Sequence, residues 1–255
     1  MFSKKGLPAG RQAVVLLSGG LDSAATLYFA KKQGYKCFCL IFDYGQRHKK
    51  EINAAGKIAQ VASCKSKIIK IKLPWKGSAL LDKKIKLPIN DCPLPAGRQG
   101  PITIPSTYVP ARNIIFLSFS LSYAEAIGAK AIFIGAHAQD YSGYPDCRPE
   151  FYRAFARVIS CGTKAGVEKK RITVKTPLIN KNKAQIIKLA VRLGTPLGLT
   201  WSCYRGASKP CGVCDSCYFR AKGFQEAEIE DTVASRDCPR RGLSRDKIRV
   251  AYEKK

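Results

Sequence analysis

Two groups of residues in this chain have the types and spacing to do chemistry. The first is the string Ser18-Gly19-Gly20-Leu21-Asp22-Ser23. It follows the unbroken apolar run Ala13 to Leu17 and precedes a helix-forming stretch, Ser23 to Gln33, that stops at Gly34; the order reads as strand, loop, helix. Backbone N–H groups at such a helix N-terminus converge on one point, two of them on glycines with no Cβ in the way, and that point attracts phosphate. The hydroxyls of Ser18 and Ser23 add hydrogen bonds, and Asp22 is placed either to cap the helix or to position a magnesium ion. The string lacks both the Gly-Lys-Ser/Thr ending of a Walker A loop and the Gly-x-Gly-x-x-Gly pattern of dinucleotide sites.

The second group is Cys203, Cys211, Cys214 and Cys217, in the order C-x7-C-x2-C-x2-C. Gly212, Asp215 and Ser216 between them argue against an apolar core, and four thiolates in so short a loop suit one tetrahedral zinc ion. Four thiolates fill the coordination sphere and leave no place for an activated water, so the metal is expected to be structural. An iron–sulfur cluster would use the same ligands, but the tight spacing favours zinc; visible absorbance bands would overturn that choice.

The elements that must position these groups alternate along the chain. After the first strand and helix come an apolar strand near Lys36 to Phe42, a helix near Lys49 to Ala62 and a strand at Lys67 to Lys72 with its isoleucines on one face. From Leu73 to Pro110 the pattern breaks into proline, glycine and lysine. It resumes with a helix at Ile114 to Ile127 and a strand at Ala131 to Gly135. Helices follow at Pro149 to Cys161 and Lys181 to Leu193, and the cysteine loop leads into one through Gln225. This predicts an α/β fold with a doubly wound, mostly parallel sheet covered on both sides, and a small C-terminal zinc-binding region. The expected divisions are an N-terminal arm (1–12), a nucleotide-binding α/β domain (13–200, with an insert at about 92–101), the zinc-binding region (201–231) and a disordered basic tail (232–255). The hexapeptide Leu-Pro-Ala-Gly-Arg-Gln occurs at Leu7 to Gln12 and again at Leu94 to Gln99. Two copies in places that tolerate insertion read as exposed, functionally silent loops rather than a structural repeat.

Composition bounds the rest. A chain of 255 residues with 45% hydrophobic content can bury one large core. No apolar run is long enough to cross a bilayer, Met1 to Gln12 lacks a secretory h-region, and the eleven cysteines fit a metal site in a reducing compartment, so a cytoplasmic location is expected. The formal charge of +27 attracts nucleotide or nucleic acid. The lysines are spread along the whole chain with no spaced aromatic stacking pattern, which argues against nucleic acid as the substrate.

The loop resembles the PP-loop of the ATP pyrophosphatase family, whose members hold the β and γ phosphates of ATP as leaving pyrophosphate while AMP passes to the substrate. That resemblance implies that Leu17, Ser18, Gly19, Gly20, Leu21, Asp22, Ser23, Ala24, Ala25, Thr26 and Leu27 line the ATP, with Phe42 and Asp43 near the adenine and ribose. Three further strings are Asp43-Tyr44-Gly45-Gln46-Arg47-His48, Tyr108-Val109-Pro110-Ala111-Arg112-Asn113 and Ser142-Gly143-Tyr144-Pro145-Asp146-Cys147-Arg148. With the four cysteines they resemble the 7-cyano-7-deazaguanine synthase family over roughly Ala13 to Asp231. The resemblance implies conversion of 7-carboxy-7-deazaguanine and ammonia to the 7-nitrile, a queuosine precursor, with two ATP consumed, magnesium accompanying the ATP, and a homodimer. No glutaminase domain is present, so free ammonia is the expected nitrogen source. Asp22, Lys183, Arg148 and Asp146 are the catalytic candidates; Arg112, Tyr144, Asp146 and Arg148 are the substrate-binding ones. Within this scheme Lys183 meets the phosphates, Arg148 pairs with the substrate carboxylate or phosphate, and Asp146 accepts from the guanine-like N–H edge. His48 is expected near the nucleotide and His137 in a local hydrogen bond, neither of them a metal ligand.

Two rival readings stand beside this one. A PP-loop enzyme acting on tRNA, of thiolase or lysidine synthetase type, would suit the charge, but a thiolase needs a reactive cysteine pair, and Cys147 and Cys161 lack an obvious histidine partner. A zinc-containing RNA-binding module would leave the complete nucleotide loop without a purpose.

Overall fold

The apolar run that ends at Leu17 becomes the middle strand of a sheet in a computed structural model describing residues 11–88, 104–137 and 143–233. Its alternate residues serve two cores. Val14 and Leu16 of β1 (Gln12–Leu16) join Leu40, Phe42, Leu117, Leu121 and Ile132 on one face. Ala13 and Val15 join Leu27, Ile41, Ile58 and Phe133 on the other. Each fully buried aliphatic side chain contributes about 2 kcal/mol, so a strand apolar on both faces is driven to the centre.

The order along the sheet is β3-β2-β1-β4-β5, and every pairing is parallel. β2 is Lys36–Asp43, β3 Lys65–Lys70, β4 Ala131–Phe133 and β5 Thr173–Lys175. Helices α1 (Leu21–Lys32) and α2 (Lys50–Val61) cover one face; α3 (Arg112–Ala126) and α4 (Pro149–Gly162) cover the other. A short α5 (Lys164–Val167) follows. Beyond α1, α6 (Lys183–Arg192) and α7 (Asp215–Ala227) pack together through Ile186, Ile187, Ala190 and Phe224. The expected doubly wound parallel sheet is the one observed.

The details differ where periodicity is weak. Ile69 and Ile71 pack on the core, whereas Ile68 is 52% exposed, so the isoleucines of the third strand are divided between its faces. This is the sheet edge, where lysines at 65, 67 and 70 guard the open backbone. β4 stops at Phe133 instead of Gly135. β5 and α5 carry too few apolar residues to announce themselves.

The proline-rich excursion is tied back to the sheet's carboxyl end. Ala79 N–H donates to Ser106 O at 2.7 Å, and Arg47 Nη2 donates to Asp82 O at 2.7 Å and Ile85 O at 2.5 Å. Most of the duplicated hexapeptide sequence, Ser142, and Cys238 with the rest of the tail from 234 onward lie outside the described residues. Among the described residues, no helix is long and apolar enough to cross a membrane.

Candidate active site

The loop between β1 and α1 is held by its own side chains. Ser23 Oγ accepts from Ser18 N–H at 3.2 Å and from Ser18 Oγ at 3.0 Å, and donates to Gly20 O at 3.0 Å. Gly20 N–H donates to Ser18 Oγ at 3.3 Å. Gly19 has φ +85°, and a Cβ there would lie 2.2 Å from the Glu51 carbonyl oxygen, so only glycine lets the loop lie against α2. A Cβ on Gly135 would lie 3.0 Å from the Asp22 carbonyl, which explains why the chain after β4 can pass so close beneath the helix start. α1 begins with no side-chain cap, leaving the first-turn N–H groups for a phosphate.

Asp22 therefore does not cap the helix. Both its oxygens accept from Lys183 Nζ at 2.9 Å, and the same Nζ lies 3.0 Å from His137 Nε2. Burial by itself would raise the Asp22 carboxyl; the Lys183 ammonium, with His137 adding to it, outweighs that and holds it well below the usual carboxylate range. Lys183 is placed by the first turn of α6, where Asn182 and Gln185 form a reciprocal capping box. Its stem passes over Gly223 of α7, where a Cβ would lie 2.3 Å from Lys183 Cγ. Residues 161 apart in sequence thus meet at the loop.

A cavity of about 300 Å³ opens from this loop along the carboxyl end of the sheet. Of the eleven residues expected to line ATP, Leu17, Ser18, Gly20, Asp22 and Ser23 face it. Leu21 and Ala25 pack on α6, and Ala24 and Leu27 pack on the sheet. Thr26 is fully buried and Gly19 lies against α2. Phe42 lines the cavity and stacks on Phe116 at 4.0 Å, whereas Asp43 faces Lys49 at 3.7 Å.

The far wall combines distant segments. Arg112 Nη1 donates to the buried Tyr44 hydroxyl at 3.4 Å, with its guanidinium over the Tyr44 and Phe116 rings. Tyr144 OH and Thr107 Oγ1 lie 2.6 Å apart, and both residues line the cavity. Asp146 and Arg148 do not line it. The Asp146 carboxylate accepts from Asn113 N–H at 3.0 Å, holding the start of α3 just after Ala111, which has φ +54°. Arg148 is the residue before α4. Cys147 lines the cavity between them, its Sγ accepting from Asn113 Nδ2 at 3.1 Å.

Two further side chains belong to the cavity. His48 lines it half-buried; burial pushes its imidazole below the usual range, and Nδ1 has no partner among the described residues. Glu51 lines it from the first turn of α2, where burial pushes the carboxyl up to about 7 against a partial offset from Arg112, with Cys203 adding to the rise.

The four cysteines converge as their spacing predicts: the Sγ atoms of Cys203, Cys211, Cys214 and Cys217 all lie within 4.8 Å of one another. Arg205 N–H and Cys211 N–H donate to Cys203 Sγ at 3.4 and 3.3 Å, as backbone does around a thiolate. This donor set fits a tetrahedral metal ion. The cysteine loop is also wired to the loop between β1 and α1. Trp201 N–H donates to Gly19 O at 2.9 Å, Tyr204 lines the cavity, and Lys50 Nζ donates to Ala207 O.

Residues 12–228 match the family described as "Queuosine biosynthesis protein QueC". The chain belongs to the QueC family. A 7-cyano-7-deazaguanine synthase of Acetivibrio thermocellus is 54% identical over 224 residues, covering 88% of this chain and 97% of that protein. One of Nostoc sp. is 51% identical over 222 residues, covering 86% and 95%. One of Thermoplasma acidophilum is 46% identical over 229 residues, covering 90% and 94%.

In this QueC chain the site residues that sequence reasoning missed are Glu51, Gly135, Thr107 and Gly223, with His137 undervalued. Glu51 reads as one acid on an amphipathic helix, and Gly223 as an ordinary helical glycine. Their signal is long-range packing, which a single sequence does not display.

Proposed function

We propose that the chain is a 7-cyano-7-deazaguanine synthase that adenylates its substrate twice. The observation that carries this reading is the match of residues 12–228 to the QueC family, which spans both the phosphate loop and the four cysteines. The first-turn N–H groups of α1 and the Lys183 ammonium hold the β and γ phosphates of ATP, with magnesium accompanying them. Asp22 keeps Lys183 aimed at the loop. The α phosphorus is then open to a carboxylate oxygen of 7-carboxy-7-deazaguanine, which Arg112 and Tyr144 orient across the cavity. Pyrophosphate leaves and an acyl adenylate remains. Free ammonia attacks the acyl carbon, AMP leaves, and the product is the amide. The amide oxygen attacks the α phosphorus of a second ATP and a second pyrophosphate leaves; AMP then departs as nitrogen gives up its two protons and the carbon–nitrogen triple bond forms.

Asp146 contributes by position, fixing the start of α3 from which Arg112 projects; Arg148, the residue before α4, takes the substrate carboxylate only if it turns toward the cavity. The four cysteines hold zinc, which supplies structure and no reaction step. We place the enzyme in the cytoplasm, where these thiols stay reduced, and take it to work as a homodimer.

The test is an assay of purified protein with ATP, 7-carboxy-7-deazaguanine and ammonium, with mass detection of the nitrile. Nitrile, AMP and pyrophosphate are expected. AMP and pyrophosphate release that requires tRNA, with no nitrile, would replace this reading by one in which tRNA is the substrate.

A further inference from the structure

We propose that Glu51 is the base that takes the proton from nitrogen in both halves of the reaction, a role that rests on the synthase reading above. Its place is fixed by packing. The Glu51 carbonyl oxygen lies against Gly19, and Glu51 lines the same cavity as the loop residues Ser18 and Gly20. Of the two carboxylates that line the cavity, Asp22 is committed to Lys183, whereas the Glu51 carboxylate makes no hydrogen bond or ion pair among the described residues. An acid held next to a phosphate site with only a partial offset from Arg112 is repelled by the bound polyanion, so its presence calls for a chemical reason.

The proton balance supplies that reason. When ammonia adds to the acyl adenylate, its lone pair forms the carbon–nitrogen bond and the nitrogen becomes a cation; one proton must leave before or as AMP departs. In the second half, attack by the amide oxygen first gives R–C(=NH2+)–O–AMP, which loses one N–H proton to become R–C(=NH)–O–AMP. Loss of the second N–H proton gives the electron pair that becomes the third carbon–nitrogen bond as AMP leaves. Both steps put a proton into the same place, beside the carbon next to the α phosphate, and neither requires an oxidant or reductant. One carboxylate that reloads between steps serves both.

The surroundings allow such reloading. Among the described residues, the titratable groups felt by Glu51 are Arg112 from α3, Tyr44 just after β2 and Cys203 from the cysteine loop, and His48 lines the same cavity. Burial raises the Glu51 carboxyl to about 7 despite Arg112, while Asp22 stays fully ionised. Two carboxylates driven apart in this way divide the work, one as a fixed charge and one as the proton carrier.

The experiment compares wild type with Glu51→Gln and Glu51→Asp. Without ammonium, exchange of labelled pyrophosphate into ATP should depend on 7-carboxy-7-deazaguanine, and Glu51→Gln should keep it within about threefold, because adenylation needs no base. Conversion of the adenylate to amide at pH 7, followed by rapid quench, should fall by about 100-fold or more in Glu51→Gln. Excess ammonia at about pH 9 should restore amide but not nitrile, so that amide accumulates. The acid limb of the wild-type pH profile should be absent from Glu51→Gln. Glu51→Asp, which keeps a base on a shorter stem, should lose about tenfold and still make nitrile, which keeps the test valid should the glutamine variant misfold.

Equal losses in exchange and amide formation would overturn the assignment in favour of a role in holding the magnesium nucleotide. A raised KM for the deazaguanine with kcat preserved would overturn it in favour of recognition of the ring edge. Unchanged nitrile formation in Glu51→Gln would overturn it outright. If wild type shows no exchange with the carboxylate, the synthase reading itself fails and takes this assignment with it.

Discussion

On the sheet side of the cavity, the loop from Ser18 to Ser23 is shaped by serine hydrogen bonds that span at most five residues and backed by a strand buried on both faces, with Trp201 and Lys183 joining it from afar. On the opposite side, Arg112, Tyr144 and Tyr204 arrive from three separate segments, held by side-chain contacts among which are Arg112 on Tyr44, Tyr144 on Thr107, and the cysteine cluster next to Tyr204. The first wall is a loop preformed by its own hydrogen bonds and backed by the core. The second is an assembly whose geometry depends on a few polar atoms. Phosphate binding should therefore be sensitive to backbone space, and substrate binding to individual side-chain partners.

The sharpest way to break the contrast is Gly19→Ala. A Cβ 2.2 Å from the Glu51 carbonyl, at φ +85°, forces the loop off α2. We expect ATP affinity to fall by about 100-fold, measured by calorimetry, with the fold retained. Near-normal affinity would mean that the cradle is adaptable and the two walls are alike.

A smaller effect is expected from the second wall. Cys214→Ser removes one of four converging sulfurs, and metal content measured by elemental analysis should drop from about one ion per chain toward zero. Because Trp201 bonds Gly19 O and Tyr204 lines the cavity, ATP affinity should fall too, by about tenfold. Loss of the metal without any effect on nucleotide binding would separate the cysteine loop from the site.

The smallest is Asp146→Asn, which keeps an oxygen for the Asn113 N–H but removes its charge. A loss of about 1 kcal/mol in unfolding free energy is expected, since a charge-assisted bond becomes a neutral one. The KM for the deazaguanine should rise more than that for ATP, because α3 carries Arg112. Equal shifts in both would deny the start of α3 its separate role.

The same contrast explains what could be read from the sequence. The strand, glycine turn and helix around Ser18 are local, and the four cysteines lie within one loop, so both groups were legible with their surroundings. The parallel sheet followed from the alternation of apolar runs. By contrast, the Asp22–Lys183–His137 cluster joins three elements far apart in the chain, and only folding brings the lysine's capping box beside the loop. Asp146 belongs to a string that suggested a substrate contact, yet its carboxylate holds α3 while Cys147 faces the cavity. A one-residue difference in which side chain points inward is set by the short turn at Pro145–Cys147, for which no periodic pattern exists. Glu51 stayed hidden because burial, not spacing, sets its character.

We propose that one loop adenylates the same carbon substituent twice. It is tested most directly by counting AMP against product in a reaction with limiting 7-carboxy-7-deazaguanine, excess ammonium and excess ATP. The account predicts two AMP and two pyrophosphate per nitrile, with amide as a transient that disappears as nitrile grows. One AMP per molecule consumed, with amide as the final product, would contradict it.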